Sequence, residues 1–157
     1  MENEGKELNI PQCFSGAAQL LLYTRYDDPR IAGWEQKWIT EWNVQLVHPW
    51  FPERTIKIHK HFWPLFNDAL TELELLGLDS EIKSCDSTFS IVHYADSPVL
   101  SVHSWGVAID MNAADNPVGS AGKWSEDFIA VMMRHGIYCG QNWTGNKEPM
   151  HFAMVDG

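Results

Sequence analysis

Ser101-Val102-His103-Ser104-Trp105-Gly106-Val107-Ala108-Ile109-Asp110-Met111-Asn112 sets a histidine and an aspartate seven residues apart, with a glycine between them. Side chains alternate along a strand, so an odd separation puts His103 and Asp110 on opposite faces. They reach one ion only if the backbone turns between them, and Gly106 has the freedom to make that turn. His103 is therefore expected in a loop. Asp110 is expected on a buried strand, Gly106 to Met111, with small Ala108 leaving room beside the carboxylate. A second cluster, Glu148-Pro149-Met150-His151-Phe152, adds another imidazole. Two imidazoles and one carboxylate suit zinc with one coordination position left open. Glu148 lies three residues before His151, across Pro149. It is the carboxylate placed to take a proton from water and pass it to a leaving group.

Outward from these clusters, the chain alternates helical and extended patterns. Ala17 to Tyr23 is an apolar run within Phe14 to Tyr26, either a short helix or a strand, and Asp27-Asp28-Pro29 reads as a turn. Trp34, Trp38 and Trp42 recur every four residues, which predicts one core-facing helical stripe within Gly33 to Asn43. His48-Pro49-Trp50-Phe51-Pro52 is excluded from regular helix by its prolines. Arg54 to Ile58 predicts a strand. An amphipathic helix follows near His61 to Leu76, with Phe62, Phe66, Ala69, Leu70, Leu73 and Leu76 on its inner stripe and Gly77 as its stop. Glu81 to Asp86 and Thr88 to His93 predict two strands joined by a turn, then a loop over Tyr94 to Val99. Ala113 to Lys123 reads as an open loop. Ser125 caps a helix whose inner face is Phe128, Val131, Met132 and His135, and Gly136 ends it. Ile137 to Cys139 and Met150 to Met154 predict a closing strand pair. This order gives an α+β fold, a central and mainly antiparallel sheet flanked by helices, in a single domain spanning 1–157 with residues 1–10 frayed.

Composition narrows the function classes. The 157 residues carry a formal net charge of -10, which argues against a nucleic-acid binder and against adsorption to an anionic membrane. Three cysteines, Cys13, Cys85 and Cys139, form no CxxC pair, so reduced thiols are expected and a cysteine zinc site is not. The start, Met-Glu-Asn-Glu-Gly-Lys-Glu, lacks the basic and apolar segments of a signal peptide. No apolar stretch is long enough for a membrane span. Synthesis in the cytoplasm is expected, with a separate delivery partner for any work at the cell wall or in the periplasm.

Other histidines and cysteines compete for the chemistry. His59-Lys60-His61 presents two imidazoles on one face of a strand but has no evident third ligand. His48 and His135 read as structural. Cys139 has no histidine in a recognisable relation to it, which weakens it as a nucleophile.

The two clusters resemble the D-alanyl-D-alanine carboxypeptidase family of zinc peptidases, which includes vancomycin-resistance dipeptidases and carboxypeptidases and phage endolysins of the L-alanyl-D-glutamate type. Its SxHxxGxAxD pattern is matched at every fixed position from Ser101 to Asp110, and its [DE]xxH pattern at Glu148 to His151. The segment Gly136 to Trp143 is similar to the family's glycine and tryptophan segment, and the likeness covers roughly residues 58–154. The resemblance implies a sheet-and-helix fold shared with the hedgehog signalling domain. It implies one zinc ion held by His103, Asp110 and His151, with Glu148 as catalytic base and acid. Peptidoglycan stem peptides are the implied substrate, and His93, Ser101 and Trp143 are assigned to substrate binding. Many members carry an arginine ahead of the first pattern. Here Phe89 to Ala95 contains none, and His93 is the stand-in donor. The scissile bond stays open between carboxypeptidase and endopeptidase types. The alternative is a zinc-stabilised peptidoglycan-binding module that has lost turnover, part of a phage tail or secretion apparatus. The expected delivery partner of an endolysin is a holin; otherwise it is a secretion or tail apparatus.

Overall fold

The computed structural model describes residues 16–94 and 96–157. Cys13, Phe14 and the segment 1–10 lie outside the described residues. The elements run α1 (Ala17–Tyr26), α2 (Trp34–Trp38), β1 (Ile39–Asn43), β2 (Thr55–His59), α3 (Phe62–Leu75), β3 (Cys85–Ser87), β4 (Ala108–Met111), α4 (Glu126–Arg134), β5 (Tyr138–Gly140) and β6 (Glu148–Ala153). Strands β1 and β2 form an antiparallel pair, and the other four form an antiparallel sheet in the order β3-β4-β6-β5. The fold is α+β.

The sheet separates two apolar cores because alternate residues face opposite ways. Ile109 and Phe152 are partners across β4 and β6, and both belong to the larger core. That core takes Phe62, Phe66, Leu70 and Leu73 from α3, Phe128, Val131 and Met132 from α4, and Ile56 and Ile58 from β2. Each fully buried side chain of this size contributes roughly 1.5–3 kcal/mol. On the opposite face Ala108 is the partner of Ala153, and both pack in a second core with Leu22 and Tyr26 of α1, Trp34, Val102 and Trp105. Small side chains there let the segment carrying Trp105 lie close to the sheet.

Helices α3 and α4 follow their apolar stripes, except that Leu76 falls beyond the end of α3 and is exposed. Ser125 caps α4 by accepting the Phe128 N–H at 3.1 Å. Gly77 and Gly136 stop the two helices at φ 72° and 74°, the left-handed conformation that glycine tolerates. His135 is half-buried rather than on the inner face and meets Glu72 of α3 at 2.5 Å. The tryptophan stripe divides: α2 ends at Trp38, and β-branched Ile39 and Thr40 continue as β1 against β2. Trp34 consequently enters the second core and Trp42 the first. Of the two strands expected between Glu81 and His93, only Cys85–Ser87 forms within the sheet, after a 3₁₀ turn at Asp79–Glu81. Residues 88–92 are irregular, and His93 makes a lone bridge to Leu100. Asn112 holds the stretch before β3, Glu81 to Ser84, in place. Its side-chain oxygen accepts the Lys83 and Ser84 N–H groups and its amide donates to the Glu81 carbonyl, so backbone groups are satisfied without a long ladder.

Candidate metal centre

His103 lies in a 3₁₀ turn, Val102–Trp105, that ends at Gly106 with φ 69°. A side chain at Gly106 would meet Ile39 Cδ1 at 2.5 Å and the His59 backbone nitrogen at 3.0 Å, while the Gly106 carbonyl accepts the His59 N–H at 2.9 Å. The glycine both reverses the chain and packs against β2. Ser101 caps the turn through a 3.3 Å contact with the His103 N–H. Ser104 bonds both the N–H and the carbonyl of Val92. The turn therefore carries His103 back over the sheet face that bears Asp110.

On that face Asp110 of β4 is the register partner of His151 on β6 and of Ser87 on β3. Asp110 Oδ1 lies 3.2 Å from His103 Nε2 and 3.4 Å from His151 Nδ1. One ligand atom from each of the three residues falls within 4.8 Å of the others. The outward ring nitrogens are held as a metal site requires: His103 Nδ1 donates to the Thr88 carbonyl at 2.7 Å, and His151 Nε2 donates to the main-chain oxygen of Gly157 at 3.2 Å. Those bonds leave His103 Nε2 and His151 Nδ1 to face Asp110. The donor set and its supporting carbonyls fit a divalent ion.

The electrostatics show how tightly the three groups are coupled. Burial opposes a charge on His103, but the hydrogen bond and charge of Asp110 outweigh it and hold the imidazole above its ordinary value. Burial likewise raises Asp110, yet the two imidazoles overcome it and bring the carboxyl down to about 2.

Glu148 opens β6, half-buried and opposite Gly140 of β5. Pairing jumps from Phe152 to Glu148 while β5 advances only from Cys139 to Gly140. This irregularity breaks the strand alternation that would otherwise separate Glu148 from His151. Glu148 lines a cavity of about 630 Å³ together with Gln19 of α1, Tyr94, Asn142, Trp143 and Asp156. The cavity adjoins the metal centre through Trp143, whose ring is 5.6 Å from that of His151, and through Gly157. Trp143 is fixed by its Nε1–H, which donates to Asp156 Oδ1 at 3.1 Å.

Of the residues assigned to substrate binding, Trp143 lines this cavity, Ser101 is buried with its hydroxyl on the His103 turn, and His93 is exposed at its bridge to Leu100. Tyr94, beside His93, lines the cavity, with Gln19 Nε2 3.4 Å from its hydroxyl. Burial, then the negative charge of Glu148, holds its phenol above the ordinary value. The sequence reading missed Gln19, Tyr94, Thr88, Asp156 and Gly157. Thr88 and Gly157 act through backbone oxygens, which no side-chain pattern reveals. Asp156 alone left a trace, as an acid a few residues beyond His151.

The rivals separate from the site. His59 is fully buried, stacked on Trp38 at 5.2 Å, and its Nδ1 accepts the His61 N–H. Among the described residues, His103, Asp110 and His151 are the group able to hold a metal. Cys139 is buried, and burial pushes its thiol up to about 12, far from a nucleophilic thiolate at neutral pH. No helix among the described residues is long and apolar enough to cross a membrane.

Residues 95–154 match the model of a family described as D-alanyl-D-alanine carboxypeptidase, a span containing His103, Asp110, Glu148 and His151. Comparison with curated proteins and with solved structures gave no match. Geometry and family model fall on the same residues: the segment 95–154, which holds the metal-centre residues, is similar to the D-alanyl-D-alanine carboxypeptidase family.

Proposed function

We infer that the protein is a zinc peptidase acting on the stem peptides of peptidoglycan. The observation that carries this reading is the convergence of His103, Asp110 and His151 from a turn and two strands onto one point, beside the cavity lined by Glu148. His103 Nε2, Asp110 and His151 Nδ1 would hold the ion. A bound zinc supplies Lewis acidity, which polarises a carbonyl and makes water acidic near neutral pH. The work of the chain itself is to hold the peptide and to move the proton. Glu148 accepts a proton from the attacking water and returns it to the amine that leaves. Trp143 offers the substrate a flat wall, kept in orientation by Asp156. Gln19 steadies the Tyr94 hydroxyl at the same cavity, a donor for a carbonyl oxygen where many members of the carboxypeptidase family carry arginine.

The test is a digest of purified peptidoglycan by zinc-loaded protein, read by mass spectrometry beside a chelated sample and Glu148→Ala. New peptide ends that vanish in both controls are expected, with zinc content equal in wild type and variant. Unchanged cleavage by Glu148→Ala at equal zinc content removes that residue from the chemistry. The absence of an arginine between Arg54 and Arg134 favours one other reading, a zinc-stabilised binding module. Wall binding without cleavage, with one tightly held zinc, would select it.

A further inference from the structure

Between Glu148 and His151, strand β6 leaves the regular pairing of its sheet. Toward β4 that pairing stops at Asp110 with His151, and toward β5 it passes from Cys139 with Phe152 directly to Gly140 with Glu148. Pro149, in the gap, is buried and has no N–H to give a ladder. Its carbonyl is held from elsewhere. Trp124 Nε1–H donates to it at 2.8 Å, and the Cys139 thiol adds a weaker bond at 3.6 Å. Glu148 therefore stands one residue from an oxygen fixed by a side chain of the loop before α4. Trp124 is itself built into place. Its ring stacks on Phe128 at 4.3 Å and meets Phe152 edge-on at 5.2 Å. The Gln141 side chain clasps its backbone, accepting the Trp124 N–H at 3.2 Å and donating to the carbonyl at 3.1 Å. Gly122 brings the loop close, since a Cβ added there would lie 2.8 Å from that of Pro149. A phenylalanine could supply the packing; the bond to Pro149 is what the indole adds. His151 does not depend on it, being anchored across β4 to Asp110 and by Gly157 on its outward nitrogen.

Resting on the peptidase reading above, we propose that Trp124 is a positioning residue for Glu148. Its indole N–H, acting through the Pro149 carbonyl, sets where the carboxylate stands relative to the point on which His103, Asp110 and His151 converge. The ligands and the proton carrier then have separate supports: the sheet and its turn hold the ligands, and the loop before α4 holds Glu148.

The test compares zinc-loaded wild type with Trp124→Phe, with protein carrying benzothienylalanine at position 124, and with Phe128→Leu, on a soluble stem peptide. Benzothienylalanine keeps the bicyclic ring and lacks the N–H, so it serves even if the smaller ring fails to pack. Phe128→Leu disturbs the same packing and keeps the bond. In both variants at position 124, kcat should fall about tenfold to a hundredfold, the scale of a misplaced catalytic group. KM, and zinc affinity by chelator competition, should stay within about twofold, because ground-state binding is not what is lost. Phe128→Leu should keep the wild-type kcat. Wild-type kcat with benzothienylalanine, an equal fall in Phe128→Leu, or zinc affinity falling along with kcat would each overturn the proposal. Amide exchange reads the positioning without turnover. Gly140 and Glu148 should exchange about tenfold faster in the variants at position 124, the worth of one hydrogen bond, while His151–Ala153 keep their protection. If wild type cleaves nothing and the variants still show this exchange pattern, the peptidase reading fails and the tether on Glu148 stands. Unchanged exchange defeats the tether whatever the rates.

Discussion

Replacing Gly106 by alanine separates backbone freedom from close packing, because Gly77 provides a matched control. Both glycines have φ near 70°, so both substitutions incur the left-handed penalty of roughly 1 kcal/mol. At Gly77 nothing lies within 4 Å of the added carbon, and the cost should stop there. At Gly106 the new carbon meets Ile39 Cδ1 at 2.5 Å and the His59 backbone nitrogen at 3.0 Å. The isoleucine methyl can rotate away. The nitrogen belongs to β2 and is bonded to the Gly106 carbonyl, so relief requires moving strand or turn. Overpacking of this kind adds roughly 1–3 kcal/mol. Gly106→Ala is therefore expected to cost about 2–4 kcal/mol against about 1 kcal/mol for Gly77→Ala, in urea unfolding at constant m-value. Because the turn carries His103, zinc affinity should also fall, by about tenfold, as when partners that orient a ligand are lost. Equal costs at the two sites, or a Gly106 variant with wild-type zinc affinity, would refute this account of the glycine.

Zinc affinity measured by chelator competition should fall on acidification, by up to about tenfold per pH unit once His103 is protonated, since Asp110 raises its proton affinity and ion and proton compete for Nε2. A flat profile would show that no proton competes with the ion for His103 Nε2 over that range. His59 gives a separate acid signature. Burial, aided by the positive charges of His61 and Lys60, lowers it to about 3, against 6.5 for an ordinary imidazole. The unfolded chain then binds the extra proton between these values, so stability is full above pH 6.5 and declines as pH falls toward 3, by up to ~1.4 kcal/mol per unit. His59→Gln should flatten the slope of unfolding free energy against pH by about one proton. An unchanged slope would mean that His59 does not stay neutral. An alanine at Gly140 would drive its carbon into the backbone of Glu148, so turnover should drop at unchanged zinc content. Wild-type rates would show that Glu148 tolerates displacement.

The motif residues were legible because a metal site needs particular side chains at particular spacings, and both clusters are short and contiguous. The turn at Gly106 followed from strand alternation once His103 and Asp110 were required to meet at one ion. Helices α3 and α4 were legible because each combines an apolar stripe with a glycine stop. Trp34, Trp38 and Trp42 were not, since a four-residue period fits a helix as well as a helix running into a strand. Pairing of Ile39–Asn43 with Thr55–His59 decides between them, and that contact is non-local. Residues 88–93 carry strand-forming side chains, but the His103 bond to the Thr88 carbonyl and the Ser104 bonds to Val92 fix them without a ladder. Gln19 reaches the site from α1, far away in sequence, so only the packing of that helix reveals it.

The division of the interior into two cores bears on how the protein comes apart. His103 stands on the turn of Val102 and Trp105, in the smaller core, whereas the neighbours Ile109 and Phe152 of the other two ligands belong to the larger. An ion held by all three is a rivet through the seam. Chelation should then loosen the α1 layer first, giving rapid amide exchange in Ala17–Tyr26 and Val102–Trp105 while α3 and α4 stay protected. Metal supply would set the cooperativity of unfolding: one transition with the rivet in place, two without it.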